Sequence, residues 1–347
     1  MGYAALRRSR TPSTVWIPRT DRGYSLRVLS CPDSRLEFAE SVVRGMEESP
    51  RRLDCRYLYD EAGIEFYKRI CETPEYYLTR TEDAILSRYA GEIRELAGEA
   101  TLVELGSGNS SKTRRLLDAW CSRGPSRYVP VDFCRESLEN ACAELAARYS
   151  RLAVDGIAAT YAHAFPLLPA FSPLLLAFLG STVGNFGRGE FEGFLCDVSR
   201  ALRPGDSLLL GIDLVKDRAR LEAAYDDAAG WSRRFTLNLF ARINRELGAG
   251  LPLDEIEYVS FYEPQRAQIE MYGRFQRESI LEVPELSRRF RIEPGERILV
   301  EISRKFRVEE VAAHAARHRL TLVRGFSDSA GFFALLLFRR AARLVDS

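Results

Sequence analysis

"LVELGSGNSSKTRRLL", residues 102–117, decides how the chain is read. "TLVEL" is a short apolar run typical of a buried strand, and the polar-apolar pattern from Ser110 predicts a helix. The glycine turn between them can hold a nucleoside triphosphate, a dinucleotide or S-adenosylmethionine. A triphosphate loop needs a glycine just before Lys112-Thr113, where this chain has Ser111. A dinucleotide fingerprint needs its third glycine at the same position, so both patterns are damaged there. S-adenosylmethionine fits best. Gly106 and Gly108 let backbone approach a bulky ligand, and Glu104 offers a carboxylate to a cationic sulfonium and ammonium. Asp132, closing "YVPVD", is the expected acceptor for ribose hydroxyls.

Strand-like and helical runs alternate outward from this turn across residues 101–215: "RYVPV", the helix "RESLENACAELAARY", "RLAVDGIAA", "PLLLAFLG", a helix from Gly189, and "SLLLGID". Such alternation predicts an α/β fold with a parallel sheet covered on both faces. "LTLVRGFS" and "GFFALLLFRR", joined by "DSAG", predict a late antiparallel hairpin, which a plain dehydrogenase sheet does not need. The pattern changes over 216–305, where helical segments precede the strands "EIEYVSFYE" and "AQIEMYGRFQ". The predicted organisation is a flexible lead at 1–24, a cofactor domain at 80–215 plus 306–347, and an inserted substrate domain at 25–79 plus 216–305.

Composition narrows the function. The net charge of +1 gives no general case for nucleic acid or an anionic membrane. The longest apolar run is too short to span a bilayer. Seven scattered cysteines without a C-x-x-C pair point to reduced cytosolic thiols and no structural zinc, hence a cytoplasmic protein. Of the 50 basic residues only Lys68, Lys112, Lys216 and Lys305 are lysines, a bias read as genomic composition.

From about residue 55 to 338 the chain resembles the histidine Nα-methyltransferases of ergothioneine biosynthesis. The resemblance rests on "LYDEAGIEFYKRICETPEYYLTRTE", "LVELGSGNSSKTRRLL", "YVPVD", "AFLGSTVGNF", "LLLGIDLVKD", "AYDDAAG", "NRELGAG", "IEM" and "EISRKF". It implies a Rossmann-like, seven-stranded class I methyltransferase domain carrying a family-specific α+β substrate domain. It also implies three successive methyl transfers from S-adenosylmethionine to the α-amino group of histidine, with S-adenosylhomocysteine as product, no metal and a monomeric enzyme.

By resemblance, Tyr59, Gly106, Lys112 and Asp132 touch the cofactor, together with Ser107 and Gly108 of the turn. Gly180 and Asn185 lie at the amino-acid end, and Asn185 and Tyr225 hold the substrate carboxylate. Asn185 also orients the amine. Tyr59, Asn185 and Tyr225 are therefore the catalytic candidates. Glu301 and Ser303 bond the imidazole, beside Met271, and Tyr76 lines the same cavity. The chemistry suits these residue types, because methyl transfer is an in-line displacement that depends on positioning a neutral amine. Asn and Tyr position it without the strong pairing by which a carboxylate would keep it protonated.

The chain departs from the family at Thr160-Tyr161, where an acid and Phe are usual beside the adenine; Thr160 can still accept a hydrogen bond. Tyr67 replaces a usual Phe and predicts a more polar wall, and Trp231 is expected to reshape the pocket. Arginine, then tryptophan, are the alternative substrates, and a non-catalytic cofactor-binding homologue is a further alternative. His314 and His318 have metal-ligand spacing but lack the glutamate of H-E-x-x-H, so a solvated helix face is expected. Asp226 and Asp227 are expected to cap a helix or face water.

Overall fold

The computed structural model describes residues 13–18, 23–30, 34–110 and 112–342. Fourteen strands occur among them: β1 (Ser13–Ile17), β2 (Tyr24–Ser30), β3 (Thr101–Leu105), β4 (Ser126–Asp132), β5 (Leu152–Ala158), β6 (Leu174–Phe178), β7 (Ser207–Asp213), β8 (Ile256–Glu263), β9 (Gln268–Phe275), β10 (Ser279–Val283), β11 (Arg288–Ile292), β12 (Arg297–Arg304), β13 (Leu320–Ser327) and β14 (Phe333–Arg340).

Nine of them form one sheet in the order β1-β2-β5-β4-β3-β6-β7-β14-β13. The strands from β2 to β7 run parallel, and β14 pairs antiparallel with both β7 and β13. The β5-β4-β3-β6-β7-β14-β13 segment is the predicted seven-stranded sheet with its late hairpin. Asp328 builds the turn of that hairpin, its carboxylate accepting the N–H groups of Ala330, Phe332 and Phe333. Successive residues of the central strands serve opposite faces. Val103, Leu105, Leu176 and Phe178 enter one core, and Leu102, Leu175 and Ala177 enter the other.

A third core lies apart from that sheet. It joins the helices Ser34–Glu47, Glu61–Glu72 and Trp231–Leu247 to the sheet β12-β9-β8 and the hairpin β10-β11. Asp60 caps the second of these helices, accepting the Gly63 N–H at 2.8 Å and the Asn238 amide at 2.7 Å, so one carboxylate ties two helices together.

Three expectations are corrected. Residues 25–79 do not all belong with the third core, because β2 pairs in parallel with β5 and adds to the large sheet. Ser13–Ile17, inside the expected flexible lead, forms β1 against β2; residues 1–12 and 19–22 of that lead lie outside the described residues. The helix after the glycine turn starts at Arg114, not Ser110, because Gly108 and Ser110 take left-handed backbone angles that a helix cannot continue through.

Candidate active site

In this fold the glycine turn sits at the carboxyl end of β3, where the strand order reverses between β4 on one side and β6 on the other. Open α/β sheets bind ligands at such a switch point. Gly106 and Gly108 have φ of +67° and +49°. A Cβ on Gly106 would lie 2.7 Å from the Tyr161 hydroxyl, whereas one on Gly108 would meet nothing within 4 Å among the described residues. The Gly108 N–H donates to Asp132 Oδ2 at 2.7 Å, and the Cys134 N–H to Oδ1 at 2.8 Å. The Phe133 N–H also bonds this carboxylate, which leaves at least one lone pair for a further donor. Beside it the Ser107 hydroxyl is buried without a partner among the described residues. An oriented carboxylate, an orphaned hydroxyl and open space above Gly108 fit an adenosyl ligand with a ribose diol.

Two cofactor candidates have other partners. Glu104 is 4% exposed and lies beneath the turn. Its oxygens accept the Thr113 hydroxyl at 2.6 Å and the Tyr128 hydroxyl. Burial pushes its pKa up to about 7. Its place is therefore to lock β3 to β4 and to the following helix, not to face a sulfonium. Thr160 Oγ1 bonds His163 Nδ1 at 3.1 Å and starts a short helix without capping it through its side chain.

Lys112 does come to the site, held by a residue that sequence reading missed. Its Nζ donates to Glu82 Oε2 at 2.6 Å, while Glu82 Oε1 accepts the Gly180 N–H at 2.7 Å. Glu82 is fully buried. One carboxylate thus joins the turn after β3 to the turn after β6. Burial alone would lower the Lys112 pKa, but Glu82 holds it above the usual lysine range.

Next to Gly180 opens a cavity with about 570 Å³ of atom-free space, open solvent at its mouth included. Tyr59, Tyr67, Tyr76, Gly180, Asn185, Tyr225, Met271, Glu301 and Ser303 all line it. Ser232, Phe235 and Thr236 line it too, but Trp231 does not. The expected influence of Trp231 is corrected accordingly: its ring faces Phe66 at 6.2 Å with Arg69 and Arg234 against it. Its own N–H is capped by Asp227 at 2.9 Å, as is that of Ser232 at 2.7 Å.

A β-bulge aims the polar wall. Along β12 the register against β9 shifts between Leu299 and Glu301, which places Glu301 opposite Met271 and Ser303 opposite Ile269. Ile298, ahead of the bulge, and Val300, the extra residue within it, enter the third core, and Glu301 and Ser303 line the cavity after it. Asn185 Nδ2 donates to Glu301 Oε1 at 2.9 Å, and the Tyr225 and Ser303 hydroxyls lie 2.7 Å apart. The residues assigned by resemblance to opposite ends of the substrate therefore touch one another. Burial pushes the Glu301 pKa up to about 8, opposed by Lys305 and the Asn185 bond. Burial likewise raises Tyr59 and Tyr225 above the usual tyrosine range.

Residues 38–340 match the family described as histidine-specific, S-adenosylmethionine-dependent methyltransferases. The chain belongs to that family. It is 40% identical over 307 residues to the histidine N-alpha-methyltransferase of Mycolicibacterium smegmatis, across 88% of this chain and 96% of that protein. It is 34% identical over 208 residues to the ergothioneine biosynthesis protein 1 of Neurospora crassa, across 58% of this chain and 24% of that protein. Similarity extends at 28% identity to the L-tryptophan methyltransferase trpM of Psilocybe serbica, across 76% of this chain and 81% of that protein.

The methyltransferase also contains a buried network that the sequence did not reveal. Asp213, at the end of β7, accepts the Tyr77 hydroxyl at 2.9 and 2.8 Å, pairs with Lys216, and pairs with Lys305 at 2.8 Å. Three of the four lysines thus serve buried carboxylates: Lys112, Lys216 and Lys305. Their retention in an arginine-rich chain was the available signal, since a compact ammonium fits where a planar guanidinium fork does not. The two histidines of "HAARH" do not face water alone. His318 Nε2 meets Glu192 Oε2 at 2.7 Å, and His314 meets the other oxygen of the same carboxylate.

Proposed function

We propose that this S-adenosylmethionine-dependent N-methyltransferase acts on the α-amino group of L-histidine, in three successive steps to hercynine, as a step of ergothioneine biosynthesis. One observation carries the proposal. Glu301 supplies the only carboxyl group among the described residues lining the cavity, in a wall otherwise made of neutral polar and apolar side chains. A lone buried carboxyl beside Met271 suits an imidazole. It accepts from a ring N–H when ionised and donates to a ring nitrogen when protonated. A site built on such a bond rejects side chains that leave it unpaired.

Gly106, Ser107, Gly108, Lys112, Asp132, Tyr161 and Thr160 would hold the cofactor, with Tyr59 between cofactor and substrate. When bound there, S-adenosylmethionine supplies an electrophilic methyl group. The protein's own part is positioning. Tyr59, Asn185 and Tyr225 offer neutral groups to the amine and carboxylate, and the raised pKa values of both tyrosines keep their hydroxyls protonated at neutral pH. With Glu301 pushed up to about 8, no strong anion faces the amine to retain its proton. The aromatic side chains of Tyr59, Tyr67, Tyr76 and Phe235 wall off water. The substrate-binding unit in this reading comprises the third core and its sheet, without β2.

The test is mass spectrometry of products from the purified protein, S-adenosylmethionine and the twenty amino acids in one pot. A gain of three methyl groups on histidine alone supports the proposal. Methylation of arginine or tryptophan instead would show that the Tyr67 wall re-specifies the pocket. Cofactor binding with no methylated product would leave a non-catalytic homologue.

A further inference from the structure

We infer that Lys305 is a positioning residue for the substrate carboxylate: its buried ammonium makes the Tyr225–Ser303 hydroxyl pair a hydrogen-bond donor toward the cavity. The inference rests on the reading that an amino acid with a free carboxylate occupies that cavity.

The geometry uses every proton of the ammonium. Lys305 Nζ lies 2.8 Å from Asp213 Oδ2, 2.8 Å from the Tyr225 hydroxyl and 2.9 Å from the Ser303 hydroxyl. Its side chain is 0% exposed. An ammonium has three donors and no acceptor, so both hydroxyl oxygens receive a proton bond from it. The two hydroxyls also bond each other at 2.7 Å, which uses one of their two protons. One proton remains, and the cavity is the open side of the pair, since Tyr225 and Ser303 both line it. The pair therefore keeps one O–H proton and one lone pair free, and it does so next to a positive charge, which favours the donor role toward an anion. A carboxylate is the substrate group that such a donor recognises.

Lys305 is also held from both sheets. It directly follows β12, and its backbone N–H bonds the Ala267 carbonyl at 2.7 Å before β9. Asp213 ends β7 of the large sheet, and the Phe306 N–H bonds its carbonyl at 2.9 Å. The ammonium thus lies at the seam between the cofactor sheet and the cavity wall. Lys216 also pairs with Asp213, so that carboxylate retains a cation when Lys305 is changed.

The experiment compares Kd values, by calorimetry in the presence of S-adenosylhomocysteine, for histidine and for histamine, which keeps the imidazole and lacks the carboxylate. Wild type is expected to bind histidine the more tightly. In Lys305→Met that preference should shrink at least tenfold, with histamine and S-adenosylhomocysteine affinities within threefold of wild type. Tyr225→Phe should reduce the preference similarly, and the double variant Tyr225→Phe/Lys305→Met should lose little more, because both changes remove one device. Lys305→Met/Lys216→Met/Asp213→Asn, which removes all three charges of the network together, replaces the single variant if Lys305→Met does not fold. Equal weakening of histidine and histamine would overturn the inference, as would fully additive effects of Tyr225→Phe and Lys305→Met. If wild type methylates a different amino acid, the histidine reading fails alone, and that amino acid and its amine carry the same comparison. Methylation of no amino acid would overturn both.

Discussion

At the scale of single residues the site is a contrast between a few titratable groups and many neutral ones. Glu301→Gln keeps the shape and removes the ionisable carboxyl, so the KM for histidine at neutral pH should rise about 2–10-fold, the range expected for a hydrogen bond between neutral groups. S-adenosylhomocysteine affinity should stay unchanged; equal losses in both would mean that Glu301 does not read the side chain. The same substitution has a consequence for stability. The folded Glu301 pKa is raised by burial to about 8 from an ordinary 4.5, so the folded state binds this proton more tightly than the unfolded chain. Its contribution is most favourable below pH 4.5 and is lost progressively as pH rises through 8. The Tm of Glu301→Gln relative to wild type should therefore climb between pH 5 and pH 9, measured by thermal melts across roughly that window. Asn185→Ala should cost about 100-fold in turnover, the scale of a misplaced reacting atom. A wild-type rate would remove Asn185 from the site.

At the scale of elements, two irregularities do what regular structure cannot. The first is the left-handed glycine turn. Gly106→Ala would impose ~1–2 kcal/mol of backbone strain. It would also bring a methyl group to 2.7 Å from the Tyr161 hydroxyl, so cofactor affinity should fall at least tenfold, read by calorimetry with S-adenosylhomocysteine. The second is the bulge in β12. Side chains alternate along a strand, so a one-residue change of register reverses every side chain beyond it. The bulge lets Leu299 and Glu301, two apart in sequence, oppose the adjacent residues Tyr272 and Met271, so that Glu301 and Ser303 share the Met271 side, where the cavity lies. Both motifs, "LVELGSGNSS" and "EISRKF", are visible in the sequence. Only the first shows its geometry there, because glycines announce a left-handed turn, while nothing in "ILVEIS" marks which residue bulges.

The whole molecule is organised around buried charges that join its parts. Glu82 links the turns after β3 and β6 through Lys112 and Gly180, and Asp213 links the end of β7 to Lys216, Lys305 and Tyr77. Asp213→Ala leaves two buried ammonium groups facing each other and should destabilise the protein by about 3–5 kcal/mol in urea denaturation. A change below ~1 kcal/mol would mean that the network contributes little to holding the sheets together. The order of apolar runs, the glycine turn and the late hairpin determined a parallel sheet with an antiparallel return from sequence alone, because these are local patterns whose period and turn chemistry admit few topologies, while the seven-stranded plan came through resemblance. The cavity residues Tyr76, Gly180, Asn185, Tyr225, Met271, Glu301 and Ser303 were legible only through resemblance, and the structure brings all seven to one cavity. Tertiary structure alone decided the remainder. β2 joined the large sheet because its edge was available to pair with β5. Glu104 became an internal lock, and Glu82, Asp213 and Lys305 became partners across separations that no local pattern encodes. A buried charge is settled by what the fold places within hydrogen-bond reach of it, and that distance exists only once the chain has closed on itself.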